Sequence, residues 1–262
     1  MKNYTLITGA SSGLGYEFCK LFAKDGNNLV LVARRKELLD KYASELSAKY
    51  GISVRVIAKD LSLEKSPDEI FNTLRTENIK LSALINNAGF GYKGSFEEIR
   101  LDIDMDMIKV NMLCLVKMTK LFLNDIIESN DGGILNVAST AAFQPGPFMA
   151  VYFATKAFVL SFSESLAEEL SKTDVIVSTL CPGPTKTEFQ GRANMNEAVL
   201  FESKLIPVMS AESVAKKGYE GFIKKKRVVI PGIFNEIGVN ISKITPTKLT
   251  TKIIGLLNKN IT

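Results

Sequence analysis

The chain has 262 residues, 46% of them hydrophobic and 23% charged, which describes a folded globular protein with a sizeable core and excludes a disordered one. Its 33 basic and 28 acidic residues leave a net charge of +5, and the single basic run, Lys224-Lys225-Lys226-Arg227, reads as a solvated helix end and not as a nucleic-acid surface. There is no histidine, which excludes Ser-His and Cys-His nucleophiles and imidazole zinc sites and leaves proton chemistry to Tyr, Lys, Cys or a shifted carboxylate.

Tyr4–Thr8 (YTLIT) reads as a strand running into Gly9-Ala10-Ser11-Ser12-Gly13-Leu14-Gly15, then a helix with Leu14, Phe18, Leu21 and Phe22 on one face. Residues 29–33 (LVLVA) form a strand buried on both faces. A polar helix over 36–49 and a strand over 53–58 follow. Ser66-Pro67 opens a helix to about 76, and 81–86 is a strand. A long helix is expected over 104–129, a strand over 134–138, a helix through Tyr152 and Lys156, and a strand over 175–180. A helix over 211–224 leads to a last strand at 227–230. This alternation predicts an α/β fold: one domain with a doubly wound, mostly parallel seven-stranded sheet and helices on both faces. No metal site is expected. No stretch resembles a signal peptide or membrane span, and Cys19, Cys114 and Cys181 are scattered, so buried thiols in a reducing cytoplasm are expected.

The glycine run lies between a strand and a helix, where a dinucleotide-binding loop belongs. Its spacing is GxxxGxG. Glycines there permit close backbone approach, and the pyrophosphate rests on the helix N-terminus. The second strand ends in Ala33-Arg34-Arg35, with no acid to favour a free 2′-hydroxyl. Two guanidinium groups suit a 2′-phosphate, so NADP(H) is the expected cofactor. Asp60 and Leu61, after the third strand, are placed to line the adenine.

With these pieces in order, the sequence resembles the short-chain dehydrogenase/reductase family from residue 4 to about 231. The resemblance rests on TGASSGLG at 8–15, NNAG at 86–89, Asn111, Ser139, Tyr152-x-x-x-Lys156 and PGPTKT at 182–187. It implies that Gly9, Ser11, Ser12, Gly13, Leu14 and Gly15 surround the cofactor phosphates and ribose. It places Asn87, Ala88 and Gly89 beside the adenosine half, and Pro182, Gly183, Thr185 and Thr187 at the nicotinamide end. Asn111, Ser139, Tyr152 and Lys156 match the family's catalytic tetrad, with Asn111 holding a water that links Lys156 to solvent. Thr185 stands where the family often has an aliphatic residue. The family also commonly pairs through its two long helices, so a homodimer or homotetramer is expected.

Tyr152 and Lys156 share a helix face at i and i+4. A nearby ammonium is expected to lower the tyrosine pKa, making Tyr152 the general acid in carbonyl reduction and the base in alcohol oxidation. Ser139 would orient the substrate oxygen, and Lys156 would also grip the nicotinamide ribose. Singly, Ser139 also reads as a strand-end hydroxyl capping a turn, and Asn111 as a residue satisfying backbone at a helix irregularity. The expected activity is an NADP(H)-dependent interconversion of a carbonyl and a secondary alcohol. The substrate would be a small, apolar ketone, 3-oxoacyl or steroid-like compound, because Phe90-Gly91-Tyr92, Phe143, Phe148, Met149 and a lid over about 187–210 (Met195, Leu200, Phe201, Leu205, Ile206) offer apolar surface. The alternatives are a dinucleotide-binding redox sensor without turnover, which would lose the Tyr-Lys pair, and an epimerase, which needs a larger C-terminal region. In the tail, over about 233–262, a helix beginning near Thr245-Pro246 places Leu249, Ile253, Leu256 and Leu257 on one face among Lys243, Lys248, Lys252 and Lys259. Such a helix can lie on an anionic membrane, fold back on the domain or meet another subunit. Packing explains it as well as a membrane does, and membrane contact is not the expectation.

Overall fold

The structure, a computed structural model, describes residues 4–129, 132–193 and 208–258. Seven parallel strands form one sheet in the order β3-β2-β1-β4-β5-β6-β9. They are β1 (Tyr4–Thr8), β2 (Asn28–Ala33), β3 (Val54–Ala58), β4 (Leu81–Asn86), β5 (Gly133–Val137), β6 (Ile176–Leu180) and β9 (Val228–Val229). The expected doubly wound α/β fold is therefore the one adopted. A second, two-stranded pairing joins β7 (Thr185–Lys186) to β8 (Met209–Ser210), and this the residue pattern did not announce.

The apolar strands are continuous because both faces of the sheet are covered. Along β2, Leu29, Leu31 and Ala33 enter one core, while Val30 and Val32 enter the other. The first core is closed by α1 (Gly13–Lys24), α2 (Lys36–Tyr50) and the helix Ala211–Ile223, through Phe18, Phe22, Leu39, Val214 and Phe222. The second is closed by α3 (Ser66–Thr76), α5 (Leu115–Glu128) and α6 (Ala150–Glu169), through Ile70, Leu74, Met118, Phe122 and Leu166. All three cysteines are buried and free.

Two elements depart from expectation. The long helix begins earlier, as α4 (Leu101–Ile108), and is interrupted by a π-helical turn at Lys109–Cys114 before α5. A change of hydrogen-bond register of this kind leaves no mark in apolar spacing. The tail holds two helices, Ile233–Ile244 and Thr247–Asn258. The second buries Thr250, Gly255 and Asn258, while the apolar residues Leu249, Ile253 and Leu256 face outward. Its docking partner is Pro147: the carbonyl accepts from Asn258 Nδ2 at 2.9 Å, and the ring covers Gly255. Polar contact thus overrides the amphipathic pattern. The expected lid residues Met195, Leu200, Phe201, Leu205 and Ile206, and Lys259, lie outside the described residues. Among the described residues no helix is long and apolar enough to cross a membrane.

Candidate active site

In a doubly wound sheet, loops from neighbouring strands part where the strand order reverses, here between β1 and β4. Thr8, at the end of β1, ties the two sides of that gap together. Its hydroxyl donates to the Ile85 carbonyl at 3.2 Å and accepts from the amides of Asn87 and Ala88 at 3.0 and 2.9 Å. The Asn87 side chain answers by donating to the Thr8 carbonyl at 2.9 Å. Thr8 is the hub the motif reading overlooked, although it is the first residue of TGASSGLG.

The glycine turn follows. Gly9 and Gly13 have φ of 67° and 53°, the left-handed region that suits glycine. A Cβ on Gly15 would sit 2.2 Å from the Gly9 carbonyl oxygen. The loop therefore presents bare backbone at the start of α1, whose N-cap, Ser12, makes no side-chain capping bond. Free amides at a helix N-terminus beside a cradle that side chains would fill fit a dinucleotide pyrophosphate. Ser11, Ser12 and Leu14 line the same cavity, with Ala33, Asp60, Leu61, Asn87, Ala88 and Gly89.

The two arginines after β2 part company. Arg35 donates through Nε and Nη2 to the Ser11 hydroxyl, at 3.2 and 3.1 Å, and through Nη2 to the Ser11 carbonyl. It also pairs with Glu188 at 3.1 Å. Arg34 is 67% exposed, with only a long 3.8 Å approach to Asp60. The Asp60 carboxylate instead accepts from the amide and hydroxyl of Ser62.

The tetrad gathers at the ends of β4 and β5. Ser139 caps the 3-10 turn Thr140–Phe143, its hydroxyl accepting from the Ala141 amide at 3.1 Å, and it lies beside Tyr152. Asn111 lies in the π turn, where its carboxamide accepts from the Phe90 amide at 3.1 Å and donates to the Phe90 carbonyl and the Thr155 hydroxyl at 2.9 and 3.0 Å. Both structural roles foreseen for Ser139 and Asn111 are thus present. One acceptor position of Asn111 remains, facing Gly89 beside the Lys156 ammonium, since a Cβ on Gly89 would meet both.

Lys156 donates to the Val137 carbonyl at 2.8 Å, and its Nζ lies 5.8 Å from the centre of the Tyr152 ring. The expected lowering of the tyrosine pKa by this lysine is not what this environment produces. Burial pushes Tyr152 up to about 12, and the Ser139 hydroxyl only moderates that rise. Burial also brings Lys156 down to about 8. Desolvation penalises each charged form more than the neighbour supports it.

At the far end, the Pro182 carbonyl accepts from Thr140 N and from the Ser139 hydroxyl. Gly183 lies under Asn235, whose Oδ1 would be 2.2 Å from a Cβ there. The Thr185 hydroxyl donates to the Gly183 carbonyl, and Thr187 packs over Gly13. All four residues line one cavity of about 930 Å³ that also reaches Ser139, Tyr152 and Lys156. Phe90, Met149 and Phe189 line it, but Gly91, Tyr92, Phe143 and Phe148 do not. Phe143 packs into a separate apolar cluster beneath Lys243, and Phe148 lines a small adjoining pocket that shares Met149 and Tyr152 with the cavity. The remaining apolar wall comes from the tail, through Phe234, Val239, Ile241, Ile253 and Leu257.

A family model described as short chain dehydrogenase matches residues 3–198. The very-long-chain 3-oxoacyl-CoA reductase of Bos taurus is 37% identical over 185 residues, which are 68% of this chain and 58% of that protein. The chain thus matches little more than half the length of such curated relatives. A short-chain dehydrogenase from Sphingobium yanoikuyae, solved in complex with NADPH, superposes with a TM-score of 0.80 at 31% identity, covering 93% of this chain and 96% of that one. A 7beta-hydroxysteroid dehydrogenase structure superposes with a TM-score of 0.86 at 25% identity, covering 96% of each chain.

Proposed function

The chain belongs to the short-chain dehydrogenase family, and from that premise we propose that it is an NADP(H)-dependent oxidoreductase interconverting an apolar ketone or 3-oxoacyl compound with its secondary alcohol. One observation carries the reading: a buried tyrosine, beside Ser139 and one helical turn from a buried lysine, shares a cavity with a bare glycine cradle. The nicotinamide, when bound, supplies or accepts the hydride. The glycine loop would hold its pyrophosphate, Arg34 the 2′-phosphate, and Lys156 its ribose. NADP(H) is favoured because β2 ends in no acid and because Arg34 is largely exposed. The Sphingobium relative's complex with NADPH supports the same preference.

The chain's own chemistry is proton transfer. With its pKa near 12, the Tyr152 phenol is protonated at neutral pH. It therefore enters a carbonyl reduction ready to donate to the substrate oxygen, which Ser139 orients. Lys156, charged below about pH 8, stabilises the phenolate formed in that step. Asn111 keeps one acceptor free beside it for a relayed proton. In alcohol oxidation the same groups run in reverse. Self-association is proposed through the long helical segment, which leaves Leu101 and Leu113 exposed.

The test is NADPH consumption over a panel of ketones, aldehydes, 3-oxoacyl thioesters and oxo-steroids, with NADH and the Tyr152→Phe variant in parallel. Turnover that needs NADPH and vanishes in the variant is expected. Tight NADPH binding with no turnover on any substrate would instead favour a sensor.

A further inference from the structure

The two tail helices carry apolar side chains that the fold leaves uncovered. On Ile233–Ile244, residues Ile233, Phe234, Ile237, Ile241 and Ile244 are all exposed, and they fall within an arc of about 100° at 3.6 residues per turn. Val239, on the other side, is the residue that is buried. On Thr247–Asn258, Leu249, Ile253 and Leu256 are exposed, within an arc of about 60° by the same geometry. Ile244 and Leu256 are extreme, at 85% and 66%. Scattered exposed apolar residues are ordinary, but two successive helical rows are not.

Both rows border the cavity. Phe234 and Ile241 on the first helix and Ile253 on the second are exposed and line the cavity at once. Lys248 and Lys252, one turn apart and both exposed, run along the edge of the second row, while Lys243 lies off the first row with its ammonium over the Phe143 ring. Against these three lysines the two helices carry one acid, Glu236.

We propose that this helical pair is a docking face for an anionic lipid surface, and that the cavity opens against that surface. An apolar arc bordered by lysines on a helix too short to cross a bilayer is the arrangement of helices that lie in the headgroup plane. A second copy of the chain fits the face less well. A two-fold contact would set the same lysine-edged row against itself, bringing like charges together. The geometry also gives the face a use: an apolar substrate dissolved in lipid reaches the cavity without crossing water. That last clause rests on the proposed oxidoreductase reading; the lipid contact does not.

The experiment is flotation of the full chain with vesicles of phosphatidylcholine alone and of phosphatidylcholine mixed with phosphatidylglycerol, with sedimentation equilibrium run on the same samples. The expected result is flotation with the mixed vesicles, weakened by salt. The double variant Ile244→Asp, Leu256→Asp, neither residue lining the cavity, is expected to stay unbound while keeping its thermal melt and NADPH binding. Lys248→Glu with Lys252→Glu is expected to weaken binding to the mixed vesicles by about thirtyfold or more. No flotation with either vesicle overturns the proposal, as does flotation that the aspartate variant leaves unchanged. A dimer that the aspartates dissociate, with no lipid binding, overturns it in favour of a subunit contact. Flotation without NADPH turnover on any substrate leaves the lipid face standing and removes only the reading of the active site.

Discussion

Arg34 and Arg35 are adjacent in the chain and do different work. Arg35 is committed to protein: it clamps Ser11 of the glycine loop and reaches across the cavity to Glu188. Arg34 makes one long approach to Asp60 and otherwise faces solvent. Substituting them should therefore separate cofactor choice from loop order. Arg34→Ala is expected to raise the KM for NADPH by about tenfold, the worth of one charge-assisted bond, and to leave the KM for NADH unchanged. Arg35→Ala is expected to raise both, because the loop that receives either pyrophosphate loses its clamp. Steady-state kinetics with the two cofactors decides this, and equal losses for both cofactors with Arg34→Ala would sink the assignment.

Burial sets the protonation of the reacting pair. With Tyr152 near 12 and Lys156 near 8, the reductive kcat/KM should be flat through neutral pH and fall above about pH 8 as the lysine loses its proton. The oxidative rate should rise with pH over the same range, since it requires the phenolate. Tyr152→Phe should lower kcat by about 10² to 10⁴, with NADPH binding persisting in a fluorescence titration. A pH profile of the wild-type enzyme run in both directions tests the pair together.

The same lysine costs stability. Its folded pKa of about 8 lies below the ordinary 10.5, so the unfolded chain holds the proton more tightly. Stability therefore rises as pH climbs from about 8 to 10.5, and the penalty is fully present below 8; it amounts to roughly 3 kcal/mol. Lys156→Met removes that penalty and forfeits the bond of a charged donor to Val137, worth about 2 kcal/mol. The variant should be inactive but melt about 2 °C higher at pH 7, with the gain lost at pH 10. Melts at the two pH values check both the sign and the window.

Thr8 makes a sharper test of packing than any catalytic residue. Thr8→Val keeps the buried shape but strips the hydroxyl acceptor from the Ala88 amide and one of two acceptors from the Asn87 amide, which also donates to the Ile85 carbonyl at 3.0 Å. A cost of about 1–3 kcal/mol in urea unfolding is expected, together with weaker binding of either cofactor, because the turn at 87–88 then loses one of its ties to the end of β1.

The strands and the glycine loop were legible because continuous apolar runs and a strand–glycine–helix order each have few structural solutions. The tetrad positions followed from the family resemblance, and the structure brings all four to the ends of β4 and β5. Several features were not legible. The π turn that carries Asn111 is a register change, and the spacing of side chains around it stays helical. The sign of the Tyr152 shift was missed because counting a neighbouring ammonium ignores desolvation, which here is the larger effect. What the apolar face of the last helix meets was left open, because apolar spacing does not say which side is held down; here Pro147 and Asn258 hold the opposite side. Asn235 belongs to no motif; only its placement over Gly183 reveals it.

That placement bears on how such an enzyme can change its substrate. The loops that would receive the cofactor come from the sheet, whereas much of the apolar wall comes from chain that follows β9. A lineage could exchange that late segment and acquire a new preference while inheriting the old chemistry intact. Asn235 limits this freedom. Its side chain fills the space above Gly183 and donates to the Pro231 carbonyl at 2.7 Å. A transplanted tail must bring a residue of matching size at 235, or the loop at 182–183 loses its cover, so the two segments are heritable only as a pair.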